Sequence, residues 1–233
     1  MTLSADRLRL TGWGLAGTLL LRASFASEPG SRRFYALSLT TAATWLAGGA
    51  ASRPPASRDE RRVLAPVATG VAAFVAFYAA ARVARRIPAS DQAVASVLHY
   101  AHRGSDPLVL ATTLLNGLGE EVFFRGAVYG VAGRHPVTVS TALYTASAAG
   151  TRNPALVLAS AVMGALFGQQ RRATGGIRAP VVTHLTWATL MLRFLPPLFG
   201  RTPAAVIARR QGVSRISATA AALSSSRMRS ARS

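Results

Sequence analysis

The chain has 233 residues, half of them hydrophobic and only 15% charged, with a positive mean hydropathy and no cysteine. That composition belongs to a membrane protein rather than a soluble one, and it excludes a disulfide framework, thiolate catalysis and Cys-ligated zinc. The formal net charge of +19 comes from 27 basic residues, all arginine, placed in connections and a C-terminal tail between apolar runs. Their expected partners are therefore the membrane bilayer and its anionic lipid head groups, with no nucleic acid.

Uncharged runs, measured against the roughly 20 residues that a spanning helix needs, set out the elements in chain order. The first, 10–21, lies between Arg9 and Arg22 and is short for a span. With its charged start and the small residues Ala23-Ser24-Phe25-Ala26 it resembles a secretory signal. The many later apolar runs favour an uncleaved anchor, so 1–33 is read as an N-terminal anchor or interfacial segment. Runs 34–52 and 63–81 follow, and 34–106 forms an N-terminal region of transmembrane helices with a polar loop. Its polar connections are 53–62 and 82–106, the second long enough for an amphipathic helix around 93–102. His99 and His102 share a face of that helix, but no third metal ligand accompanies them.

The runs 107–133, 136–151, 153–170 and 179–200 make up a core, 107–200. Two Gly-x-x-x-Gly spacings in it, Gly126/Gly130 and Gly164/Gly168, predict close helix contacts. The tail, 201–233, is rich in Ser, Ala and Arg without a sustained apolar run, and reads as a basic, disordered, membrane-surface segment. No internal repeat supports an inverted-repeat transporter. The expected fold is all-α, a polytopic transmembrane bundle of about six or seven spanning helices. The side of the membrane that holds the tail carries more arginines, which predicts a multi-pass plasma membrane protein with a cytoplasmic C-terminus.

One cluster interrupts the apolar core. Glu120 and Glu121 are adjacent, with Arg125 four residues after Glu121, and no Asp or Glu occurs from Val122 to Ser233. An acidic side chain at bilayer depth costs roughly 2.5–3.5 kcal/mol on insertion scales, so such residues are functional candidates. On a helix Glu121 and Arg125 stand one turn apart and can pair, while Glu120 is turned about 100° away and is left for another partner. One carboxylate is neutralised and oriented; the other is available as a general base, for which water activation is the natural task.

Glu120-Glu121-Val-Phe-Phe-Arg125-Gly resembles the Glu-Glu-x-x-x-Arg signature of the CAAX protease and bacteriocin-processing (CPBP, or Abi) intramembrane peptidases. The stretch from Gly164 through Gly168, Gly175 and Pro180 to His184 resembles that family's helix, Gly-containing turn and His-bearing helix. The resemblance implies a helix bundle with a polar cavity opening into the membrane, and endopeptidase activity on peptide or protein ends delivered through it. It implies Glu120 as the base that activates water, Glu121 and Arg125 as its supports, and His184 as a stabiliser of the oxyanion. Family members are described as metalloproteases, and a metal-free glutamate mechanism is also proposed, so a divalent metal such as zinc and no metal at all both stay open. Glu120, Glu121 and His184 fall short of a convincing three-ligand zinc site, and His-Glu-x-x-His is absent.

Two positions depart from the family pattern. Its second motif, Phe-x-x-x-His, has as its nearest counterpart Tyr144-Thr-Ala-Ser-Ala148, and the Asn or Asp expected four residues after the third-motif histidine is Ala188. Thr186 and Trp187 are alternative donors near the latter, and His135 is an alternative to the lost histidine. Three functions follow from these features: an intramembrane endopeptidase, a catalytically degenerate membrane-binding or scaffold protein on the same fold, and a proton-coupled transporter with Glu120 as the carrier.

Overall fold

The computed structural model describes residues 3–50, 63–103 and 106–199, and every regular element among them is helical. In chain order these are α1 (Leu3–Phe25), α2 (Arg32–Ala50), α3 (Leu64–Ala84), α4 (Pro88–Arg103) and α5 (Asp106–Glu120). A π-helical segment (Glu121–Val128) continues α5 into the single turn α6 (Tyr129–Val131), followed by α7 (Pro136–Ala149), α8 (Pro154–Thr174) and α9 (Arg178–Phe194). A short 3₁₀ turn, Pro196–Phe199, follows α9. The connection 53–62, the tail from Arg201 and the side chain of His102 lie outside the described residues.

Local chemistry sets the boundaries. Ser31 Oγ accepts from the Phe34 amide at 3.1 Å and opens α2. Pro136 and Pro154 occupy first-turn positions where a missing N–H costs nothing. Asn153 caps α8 by accepting from the Ala155 and Leu156 amides at 2.9 and 3.1 Å. Gly175, at φ 72°, ends that helix in the left-handed conformation that glycine adopts without strain. The run 179–200 stops being α-helical at Phe194, because Pro196 and Pro197 cannot continue the ladder.

α5 and the π-helical segment form the central rod. α2, α7, α8 and α9 pack around it, α1 lies on α2 and touches α7, and α3 lies on α9. The aromatic centre of this packing is Trp45 against Phe123 and Phe124, with ring centroids 4.8 and 5.2 Å away, and Phe124 against Tyr144 at 5.2 Å. Gly119 lets α2 close on the rod: a Cβ there would lie 2.9 Å from the Ala42 carbonyl oxygen. α4, the amphipathic helix expected around 93–102, is strapped on by Asn153 Nδ2, which donates to Ala93 O at 2.8 Å and Ser96 Oγ at 2.9 Å. The Tyr100 hydroxyl, which donates to the Phe25 carbonyl, ties it at a second point.

Of the two Gly-x-x-x-Gly spacings, Gly164/Gly168 is a helix contact, since Cβ atoms there would meet Thr141 and Val137 of α7 at 3.1 and 2.9 Å. Gly126 is buried, whereas Gly130 is exposed with open space beside it. The second glycine of that spacing therefore makes no helix contact, and nothing in the structure explains why.

Large apolar side chains are exposed and several polar ones are buried. Leu15 and Leu19 of α1, Val75 and Val83 of α3, Leu108 of α5, and Leu158 and Val162 of α8 are exposed, while Glu121, Arg125, Thr41 and Thr183 are buried. Among the described residues one helix, α3, is long and apolar enough to cross a membrane by length and composition alone. The others expected to span fall short of that measure for identifiable reasons. α2 opens on Arg32 and Arg33 and carries Ser38, Thr40, Thr41 and Thr44, α7 has 14 residues and α9 has 17, α8 carries Gln169, Gln170, Arg171 and Arg172 in its last turns, and the third apolar run is divided between α5 and the π-helical segment.

Candidate functional site

Glu120 is the last residue of α5 and Glu121 the first of the π-helical segment, so the change of helix type falls between the two carboxylates. π-helical insertions widen a helix locally and recur at functional sites. Glu121 is wholly buried, whereas the Glu120 side chain keeps 16% of its surface exposed.

Glu121 is held on both oxygens. Its Oε1 lies 3.0 Å from His184 Nδ1, and its Oε2 lies 3.4 Å from Arg125 Nε, an ion pair without an aligned hydrogen bond. Arg125 in turn donates from Nη2 to the Gly164 carbonyl at 3.1 Å and lies over the Tyr144 and Phe167 rings at 4.5 and 5.3 Å. Arg171 Nε donates to the Arg125 backbone carbonyl at 2.9 Å and secures the π-helical turn to α8. Buried charges are tolerated when paired and bonded in this way.

Glu120 faces a different set of groups. Its Oε2 accepts from the Tyr144 hydroxyl at 2.8 Å and lies 4.0 Å from His184 Nε2. The His184 ring is stacked on Phe167 at 4.7 Å with 21° between planes, and Gly117 leaves room for it, since a Cβ there would sit 3.4 Å from Nε2. The histidine therefore stands between the two carboxylates, its Nδ1 committed to Glu121 and its Nε2 turned toward Glu120. All four residues singled out from the sequence, Glu120, Glu121, Arg125 and His184, meet in this one cluster.

The alternatives near it separate. His135 is exposed at the N-cap of α7 and is no part of the cluster. Thr186 faces α3, where a Cβ on Gly70 would come within 2.8 Å of its Cβ. The Trp187 ring lies 6.0 Å from the His184 ring, and its indole N–H is buried without a hydrogen-bond partner among the described residues. Ala148 and Ala188 are both buried. The residue that sequence reasoning missed is Tyr144; the available signal was a tyrosine where the family motif has phenylalanine.

The donor set does not suit a bound metal. Glu121 already has both oxygens engaged by His184 and Arg125, which leaves Glu120 and His184 Nε2, and no group of three or more Asp, Glu, His or Cys able to hold a metal ion occurs among the described residues.

The fold and site together define a class: an all-α bundle with adjacent glutamates, one buried and one partly exposed, a supporting arginine and a histidine from a distant helix. Residues 104–190 match the family model of type II CAAX prenyl endopeptidase Rce1-like proteins. This segment spans α5 to most of α9 and contains every residue of the cluster, so the site-bearing part of the chain is similar to that family, in agreement with the resemblance carried by Glu-Glu-x-x-x-Arg. That similarity points to a protease family and to an integral membrane protein. No curated protein and no solved structure matches the chain.

Proposed function

We propose that this protein is an intramembrane endopeptidase in which Glu120 activates water. The observation that carries the reading is the unequal state of the two carboxylates: Glu121 is closed off by His184 Nδ1 and Arg125, and Glu120 faces His184 Nε2 across 4.0 Å with part of its surface open. A water bound at Glu120 gives it a proton, and the resulting hydroxide adds to the carbonyl carbon of a peptide delivered through the membrane. The carbonyl oxygen becomes an oxyanion on the His184 side, where the imidazolium form of the ring, donating from Nδ1 to Glu121, stabilises it with its second proton on Nε2. Collapse breaks the C–N bond, and the proton held by Glu120 leaves on the amine. Glu121 and Arg125 hold the histidine in place and touch no substrate. The plasma membrane, with the arginine-rich tail on its cytoplasmic face against anionic lipid, is the proposed setting.

Cleavage of a panel of membrane-delivered fluorogenic peptides by the detergent-purified protein tests this, with Glu120→Ala alongside and with and without a chelator. The expected result is turnover that the mutant loses and the chelator leaves unchanged. A second reading, a catalytically degenerate membrane-binding protein, is favoured by Ala148 and Ala188, which are buried where the family has polar partners. No Glu120-dependent cleavage across the panel overturns the first reading in favour of the second.

A further inference from the structure

Tyr144 makes the one hydrogen bond to the Glu120 carboxylate among the described residues. At 2.8 Å its O–H···O separation is that of a well-formed bond. The ring is held on several sides, with Phe124 at 5.2 Å, the Arg125 guanidinium at 4.5 Å, and α8 so close that a Cβ on Gly164 would lie 3.2 Å from Tyr144 Cδ1. A hydroxyl on a ring so confined cannot swing to another acceptor. Its position on α7 also matters: Ala148, where the family motif has histidine, lies one turn further along the same helix, and Tyr144 stands where that motif has phenylalanine, which carries no hydroxyl. The two departures are thus one turn apart on the helix that faces Glu120, one losing a polar group and the other gaining one.

We propose that Tyr144 is a positioning residue for Glu120, its hydroxyl holding Oε2 and standing in for the histidine that this chain lacks. With Oε2 occupied, Oε1 is the oxygen presented to water. The consequence for turnover rests on the peptidase reading; the consequence for the carboxylate itself does not.

The test is Tyr144→Phe in the full-length, detergent-purified protein. The substitution removes one oxygen and introduces the residue of the family motif, so the fold is retained. Dicyclohexylcarbodiimide reacts with protonated carboxyls in apolar surroundings, and its modification of Glu120 is followed by peptide mass mapping across a pH series, with Glu120→Gln as the blank. A hydrogen bond to a charged acceptor favours the charged form, so its loss raises labelling of Glu120 near neutral pH by about tenfold and moves the labelling curve to higher pH. In the peptide assay the same variant loses about ten- to a hundredfold in kcat with little change in KM. Superimposable labelling curves overturn the proposal, as does full kcat in the variant of an active wild type. A shifted curve in a protein that cuts no peptide leaves the proposal standing and removes the peptidase reading instead.

Discussion

The two halves of the glutamate cluster differ in what they leave unfinished. On the α8 side, Glu121, Arg125 and Arg171 are buried and held to one another, to the Gly164 carbonyl and to the π-helical turn. On the α7 side, Glu120 has one hydroxyl and one distant imidazole nitrogen, and part of its surface remains accessible. Adjacent residues of the same type thus do different work: a carboxylate with both oxygens engaged supports structure, and one with an oxygen to spare is available for chemistry. Successive residues of a helix are turned about 100° from one another, which lets neighbours in sequence face such different surroundings.

This contrast breaks most sharply under substitution. Glu120→Gln keeps the shape and still offers the Tyr144 hydroxyl an acceptor, so its thermal unfolding in detergent, read from tryptophan fluorescence, should move little. Peptide turnover should fall by at least the hundred- to ten-thousandfold that general base catalysis is worth, about 10²–10⁴. Arg125→Ala should behave in the opposite sense. It strands Glu121 in a wholly buried position, and removing one partner of a buried pair costs about 3–5 kcal/mol, which the same unfolding measurement reads directly. If Glu120→Gln destabilises as much as Arg125→Ala, the division between a chemical and a structural carboxylate is wrong.

Gly164→Ala probes the point where the two halves touch. A Cβ there would meet Arg125 Nη2 and Tyr144 Cδ1, each at 3.2 Å, and Thr141 Cγ2 at 3.1 Å. Overpacking of this kind costs about 1–3 kcal/mol, and because it pushes on the partners of both carboxylates, it should lower stability and turnover together. Loss of one without the other would show that the halves are mechanically independent.

The all-α class and the identity of the clustered residues were legible because charge inside an apolar run is rare and conspicuous. Arg125 at the fourth residue after Glu121 was a visible pair, and His184 stood out once the glycine-rich turn before it was compared with the family pattern. Three features were not legible. The π-helical turn leaves no mark in composition, and the spacing of Gly126 and Gly130 did not show that Gly130 is exposed. The role of Tyr144 needed the three-dimensional approach of α7 to α5, since a sequence separation of 24 between Tyr144 and Glu120 carries no periodic signal. The last span was overestimated because an uncharged run does not show where prolines stop a helix, as Pro196 does, whereas α8 runs past its expected end at 170 to Thr174.

The smallest expected effect lies away from the cluster and tests whether the contrast is local. Asn153 closes the N-terminus of α8 with its side-chain oxygen and holds α4 with its side-chain nitrogen. α8 is also the helix that supplies Gly164 to Arg125 and Phe167 to His184. Asn153→Ala removes the cap, typically worth about 1 kcal/mol, and frees Ala93 and Ser96 of α4 from their bonds to Asn153. Frayed helix ends transmit little beyond their first turn, and Gly164 lies more than two turns into α8, so turnover should stay at the wild-type level while unfolding shifts slightly. A substantial loss of turnover in Asn153→Ala would mean that the position of α8 as a whole, and not the local bonds at Gly164 and Phe167, sets the geometry between His184 and Glu120.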